Sequence, residues 1–144
     1  MNIRVATAAV IGLTVIGWVV ATTLGAQERS VWDGIYTEEQ AQRGAVTFDV
    51  ECAGCHGPEG EGGGLAPSTF GSTFTANYDG QTVAALFDRN KTTMPTGAEG
   101  TLTPEQYADT TAFILKTNGF PAGDKELPPQ SMPLMMIKFL AMKP

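Results

Sequence analysis

The sequence predicts a small all-α domain, and three observations carry that expectation. Apolar residues recur at helical spacing in at least two segments, each opened by a capping signature. No run of alternating apolar and polar residues long enough for a strand occurs anywhere in the 144 residues. The stretches between the helical segments are rich in glycine and proline, which disfavour regular structure.

The first segment is set apart from that domain. Met1 to Arg4 carries one positive charge, and Val5 to Ala26 is apolar or small throughout. Leu24-Gly25-Ala26 then offers a small-residue cleavage site ahead of the polar Gln27-Glu28-Arg29-Ser30. This is the plan of a secretory signal, but the apolar run exceeds the usual ~7–15 residues and matches the ~20 that span a bilayer. Residues 1–26 are therefore read as a signal peptide or an uncleaved membrane anchor. Either delivers the rest of the chain to the outer side of the membrane, so the expected location is periplasmic, soluble or held by residues 5–26.

Ser30 to Tyr36 forms a lead-in with a turn signal at Asp33-Gly34. A first helix should open at Thr37-Glu38-Glu39-Gln40, a capping box. Ala41, Gly44, Ala45 and Phe48 then make one apolar face that runs into Cys52. Residues 57–71 read as a glycine-dense loop able to approach a flat surface closely. It has no G-K-[S/T] and no preceding strand, which argues against a phosphate cradle. A middle helix is expected over about Gln81 to Arg89, with Val83, Leu86 and Phe87 inward, followed by a non-helical stretch holding Met94-Pro95. The last clear helix opens at Thr103-Pro104-Glu105-Gln106, a second capping box with proline at the first helical position. It continues through Leu115 and stops at Asn118-Gly119. The domain thus spans residues 27–120, and a proline-punctuated, Met-rich tail occupies 121–144. The apolar part of that tail is too short to span a bilayer, so it is expected to fold back over the domain, the alternative being a docking element for a partner.

The chemistry concentrates in five consecutive residues. Cys52-Ala53-Gly54-Cys55-His56 contains the only two cysteines and the only histidine. A C-x-x-C-H run is the pattern of covalent c-type haem attachment. Two thiols at that spacing can add to the two vinyl groups on one edge of a porphyrin, and the next histidine is carried under the ring to ligate iron. A structural zinc site needs four ligands, more than this chain's Cys and His can supply. A thioredoxin-like pair would sit in a βαβ surround, and a plain disulfide leaves His56 without a purpose. One covalent haem c on Cys52 and Cys55, with His56 on the iron, is the expectation.

With no second histidine, the sixth ligand falls to a methionine. Met94 stands alone between two helices, 38 residues after His56. Met132, Met135, Met136 and Met142 lie in the tail, where methionine is more often a packing residue, and are the remaining candidates. Thr92 or Thr93 is placed to hydrogen-bond a haem propionate. Removing Arg4 with the leader leaves 8 basic against 15 acidic residues, a net of −7. No basic cluster exists to neutralise phosphates, so nucleic acid is not an expected partner.

With these residues in place, the chain resembles the class I mono-haem cytochromes c. In that family a glycine and an aromatic, eight and four residues before the first haem cysteine, pack the first helix on the last. Gly44 and Phe48 hold those offsets, and Phe113 matches the aromatic of the last helix. A proline after the haem motif offers its carbonyl to the histidine's other nitrogen, a role the resemblance gives to Pro67. The segments SVWDGIYT, LFDRNKTTMP and FILKTNGFPAG are similar to cytochromes that accompany quinoprotein alcohol dehydrogenases. The resemblance implies a one-electron carrier rather than an enzyme, with His/Met axial ligation. Its redox partners would be a dehydrogenase donor, and an oxidase or other membrane electron-transfer complex as acceptor. The alternative is a haem enzyme or gas sensor with a displaceable sixth ligand. That function would call for a distal proton donor, and Arg89 is the only nearby arginine of note.

Overall fold

A computed structural model of the protein describes residues 28–64 and 66–144. The expected signal or anchor lies outside the described residues. Among these, six helices and one two-stranded ribbon follow in the order β1 (Arg29–Ser30), α1 (Glu38–Glu51), α2 (Ala53–His56), α3 (Ser72–Tyr78), α4 (Val83–Thr93), α5 (Pro104–Thr117), α6 (Ser131–Leu134) and β2 (Ile137–Lys138). No helix among the described residues is long and apolar enough to cross a membrane.

The fold is organised by α1 crossing α5. Ala41, Gly44 and Phe48 of α1 are buried, as are Tyr107, Ala108, Ala112, Ile114 and Leu115 of α5. A Cβ at Gly44 would fall 1.9 Å from the Asp109 carbonyl oxygen and 3.0 Å from the Phe113 Cβ, so the two backbones touch where the side chain is missing. Beside that contact the Phe48 and Phe113 rings lie 5.0 Å apart, centroid to centroid. Arg43 closes the rim, donating from Nε and Nη2 to the two Asp109 carboxylate oxygens at 2.9 and 3.0 Å, and from Nη2 to Glu126 at 2.9 Å.

The helix ends follow their local chemistry. At α5 the box is complete, with Gln106 N–H donating to Thr103 Oγ1 and Thr103 N–H to Gln106 Oε1. Its C-terminus closes as a Schellman motif: Gly119 takes φ +82°, Phe120 N–H reaches Leu115 O and Gly119 N–H reaches Lys116 O. At α1 only half the expected box forms. Gln40 N–H donates to Thr37 Oγ1, but the Gln40 side chain turns inward and pairs with the Leu127 backbone through Nε2–H to O (2.9 Å) and N–H to Oε1 (2.7 Å). The buried amide thereby staples the start of the tail to the first helix.

The chain departs from the expected layout in three places. α4 begins two residues later and runs four residues further than expected, and in its last turn Thr92 and Thr93 donate their hydroxyls to the carbonyls of Asp88 and Arg89. α3 follows the glycine loop without a side-chain cap and buries none of its residues fully. The tail also adds a strand to an otherwise helical fold. β2 pairs in parallel with β1, Arg29 opposite Ile137 and Ser30 opposite Lys138, and Phe139 exchanges backbone bonds with Gly80 and Gln81 at 2.9 Å each. Leu134, Ile137 and Phe139 are buried, so the tail is a strap folded back on the helical core.

Candidate haem site

Cys52 ends α1, its N–H still bonded to Phe48 O, and its φ of −123° breaks the helix. The next turn, α2, restarts at once: Cys55 N–H and His56 N–H both donate to Cys52 O at 3.1 and 3.0 Å. Residues three and four apart on a turn are neighbours, so this turn gathers the two thiols and the imidazole. Cys52 is half-buried and Cys55 exposed. Burial, and then the charge of Glu51, push the free Cys52 thiol up to about 11.

Gly57, at φ +83°, reverses the chain after the motif; a side chain there would also strike the Glu61 carboxylate. The loop that follows is tied rather than loose. Gly62 N–H donates to His56 O (2.6 Å), Gly63 N–H to Ala66 O (2.8 Å) and Thr69 N–H to Gly60 O (2.7 Å). These bonds bring the Pro67 carbonyl to 2.8 Å from His56 Nδ1. A carbonyl only accepts, so Nδ1 carries the proton and Nε2 keeps its lone pair for another partner.

Two cavities of about 520 and 350 Å³ meet at this imidazole. Both are bordered by His56, Pro67, Thr69, Asn90, Met94 and Ile114. The smaller also takes in Cys52, Cys55, Phe48 and Leu102, whereas the larger takes in Asn77, Gln81 and Arg89. One end of the combined space is apolar and holds both thiols; the other is polar and holds a guanidinium. A haem has the same asymmetry, with vinyl groups on one edge and propionates on another.

A second observation agrees with that fit. Among the described residues, two buried side-chain atoms lack a hydrogen-bond partner, Asn90 Nδ2 and Thr110 Oγ1, and both residues border these cavities. Leaving a buried donor unpaired costs about 1–3 kcal/mol, so an amide held this way fits a site whose bound group brings its own acceptor. Asn90 reaches the polar end and suits a propionate. Thr110 borders only the thiol end.

Met94 caps α4 with its N–H on Asn90 O (3.0 Å), and three neighbours fix it further. The Tyr107 hydroxyl donates to its carbonyl at 2.8 Å, the Thr96 hydroxyl lies 3.6 Å from its sulfur, and Asn90 stands one turn before it. None of the four tail methionines borders either cavity. Nor do Thr92 and Thr93, whose hydroxyls are already committed to their own helix. Sequence reasoning missed Asn90, Tyr107 and Thr96. No group of three or more His, Cys, Asp or Glu among the described residues is arranged to hold a metal ion directly.

Residues 39–114 match the family described as cytochrome c oxidase, cbb3-type, subunit III. The chain belongs to that family of class I c-type cytochromes. It is accordingly a protein of covalently bound haem c and electron transfer. Among solved structures it is similar to the sulfane dehydrogenase SoxCD from Paracoccus pantotrophus, at 24% identity and a TM-score of 0.49 over 65% of this chain and 55% of that one. The chain thus spans about half the length of that structure's chain. No curated protein matches it.

Proposed function

We propose that this cytochrome is a one-electron carrier with a single haem c bound through Cys52 and Cys55, and with His56 and Met94 as axial ligands. The observation that carries the reading is the shared border. His56 and Met94 come from opposite ends of the site's sequence, yet both face the same pair of cavities, and the two thiols sit at one end of that space. When bound, haem supplies an iron that alternates between Fe(II) and Fe(III). The chain's own residues keep that change local. Pro67 holds the His56 ring in one tautomer and orientation, and Tyr107 and Asn90 hold the Met94 backbone from two sides. A thioether opposite histidine raises the potential.

Export by residues 1–26 would place the carrier in the periplasm, and the acidic surface suits donors and acceptors with basic docking patches. The family's oxidase description supports an oxidase acceptor, and the likeness to cytochromes of quinoprotein dehydrogenases supports a dehydrogenase donor. The alternative of a displaceable sixth ligand gains nothing from Arg89. It borders the larger cavity beside Asn77 and Gln81, where a guanidinium suits a propionate.

Intact mass of the protein made with working haem-attachment machinery should show one haem per chain. Met94→Ala should keep that haem, lose the iron–thioether charge-transfer absorption and lower the reduction potential. A Met94→Ala protein with an unchanged spectrum and potential overturns the ligand assignment.

A further inference from the structure

The tail sorts its apolar residues by type. Leu134, Ile137 and Phe139 are buried, whereas Met132, Met135 and Met136 are 75%, 56% and 76% exposed. Methionine ordinarily fills gaps in cores, so three methionines turned outward beside three packed residues need another account. Their backbone places them together. α6 runs from Ser131 to Leu134, Met135 remains right-handed helical with its N–H on Ser131 O (3.0 Å), and Met136 N–H reaches Pro133 O. The three methionines therefore stand at i, i+3 and i+4 of one turn, where Cβ atoms lie about 5–6 Å apart. The turn itself is fixed, with Leu134 fully buried beneath it and the Ser131 hydroxyl bonded to Asp88 of α4.

We propose that Met132, Met135 and Met136 form a surface site for a soft monovalent metal ion, Cu(I). Three thioethers on adjacent positions are neutral, polarisable donors, and ligands of this softness select Cu(I) over hard cations. The turn from Ser131 to Met136 contains no carboxylate of its own, Lys138 follows it, and the nearby Asp88 carboxylate is bonded to Ser131, so the three methionines themselves offer no oxygen donor to calcium or magnesium. Among the described residues, the other exposed large apolar side chains are Met142 and the pair Val46 and Val50 on α1, so no exposed Leu, Ile, Phe or Trp joins the three methionines. Within the turn the exposed residues are the three methionines and Pro133.

The test uses haem-loaded protein, so that Cys52 and Cys55 present no free thiol. Cu(I) is added anaerobically in competition with a chromophoric Cu(I) chelator. The wild-type chain should withdraw one equivalent of Cu(I), and a Met132→Leu/Met135→Leu/Met136→Leu variant should withdraw none. The haem spectrum and unfolding midpoint should stay unchanged, because leucine conserves volume at exposed positions. Met142→Leu should capture like wild type. The proposal is overturned if wild type withdraws no metal, if the triple variant captures as well as wild type, or if capture is lost with Met142 alone. It is also overturned if the triple variant's only defect is lost association with a membrane oxidase, which would make the turn a protein-docking element.

Discussion

The two sides of α5 are built on opposite packing rules. Towards α1 there is no room for a single added carbon: the Gly44 Cα faces the Asp109 carbonyl, Phe48 and Phe113 fill the space alongside, and Arg43 clamps the rim. Towards α2 and α4 the same helix turns Thr110 and Ile114 onto cavities of about 350 and 520 Å³. Protein interiors are close-packed, and lining atoms that face a void lose their contacts outright. An open wall survives only where another group completes it. The difference teaches how the domain divides its work. The crossing is locked by backbone contact so that the opposite face of α5, with Tyr107 reaching Met94, can hold a fixed wall for a flat ring.

The largest effect should come from filling the sealed side. Gly44→Val sets a branched side chain where even a Cβ lies 1.9 Å from a carbonyl oxygen on a rigid helix. Overpacking typically costs ~1–3 kcal/mol, and a backbone clash of this kind belongs at or above the top of that range. Denaturant unfolding of the haem-loaded variant should show the midpoint falling accordingly. An unchanged midpoint would mean that α1 and α5 can separate freely, and the comparison would fail.

A smaller effect sharpens the same side. Tyr36, just before α1, donates its hydroxyl to Phe120 O just after α5, at 2.6 Å. Burial, and then the charge of Glu38, push its phenol up to about 12 from an ordinary 10.0. Below pH 10 the group is neutral in both folded and unfolded chains. As pH rises from 10 towards 12 the unfolded chain ionises first, so the stability that Tyr36 contributes is progressively lost. Tyr36→Phe should cost ~1 kcal/mol at neutral pH through the missing hydrogen bond. Phenylalanine has no proton to lose, so the gap to wild type should narrow between pH 10 and 12. A gap independent of pH would show that the phenol ionises equally well in the folded chain.

These two sides were unequally legible in the sequence. The two helices could be read because their signals are local, a capping box at Thr103 and a Gly119 stop among them, and the resemblance to class I cytochromes c then implied their crossing at Gly44 and Phe48. The haem motif was legible for the same reason. The wall was not, because Asn90, Tyr107 and Thr110 acquire meaning only from what stands opposite them in space. Gln40 shows the limit most plainly. Its place in T-x-x-Q reads as a reciprocal cap, yet a partner 87 residues away captures the side chain. α3 had no side-chain cap and no fully buried face to announce it. In the tail, apolar character was visible but direction was not, so its methionines read as packing residues until the strap showed them facing out.

The smallest predicted effect separates two adjacent threonines of α5. Both are buried, at 4% and 0% exposure, and propensity alone would treat them alike. Thr111 Oγ1 donates to Tyr107 O at 2.8 Å, whereas Thr110 Oγ1 has no partner and borders the thiol end of the smaller cavity. Valine keeps the branched shape of threonine and removes only the hydroxyl. Thr111→Val gives up a made bond and should cost ~1 kcal/mol. Thr110→Val gives up none and relieves an unpaired buried hydroxyl, so the haem-loaded protein should stay within ~0.5 kcal/mol of wild type or gain stability. Unfolding midpoints of the two variants, measured side by side, check the pair. If Thr110→Val proves the costlier of the two, its hydroxyl is bonded in the loaded protein. The thiol end of the cavity is then a second polar contact with the bound group, and the open side of α5 is closed by hydrogen bonds as well as by shape.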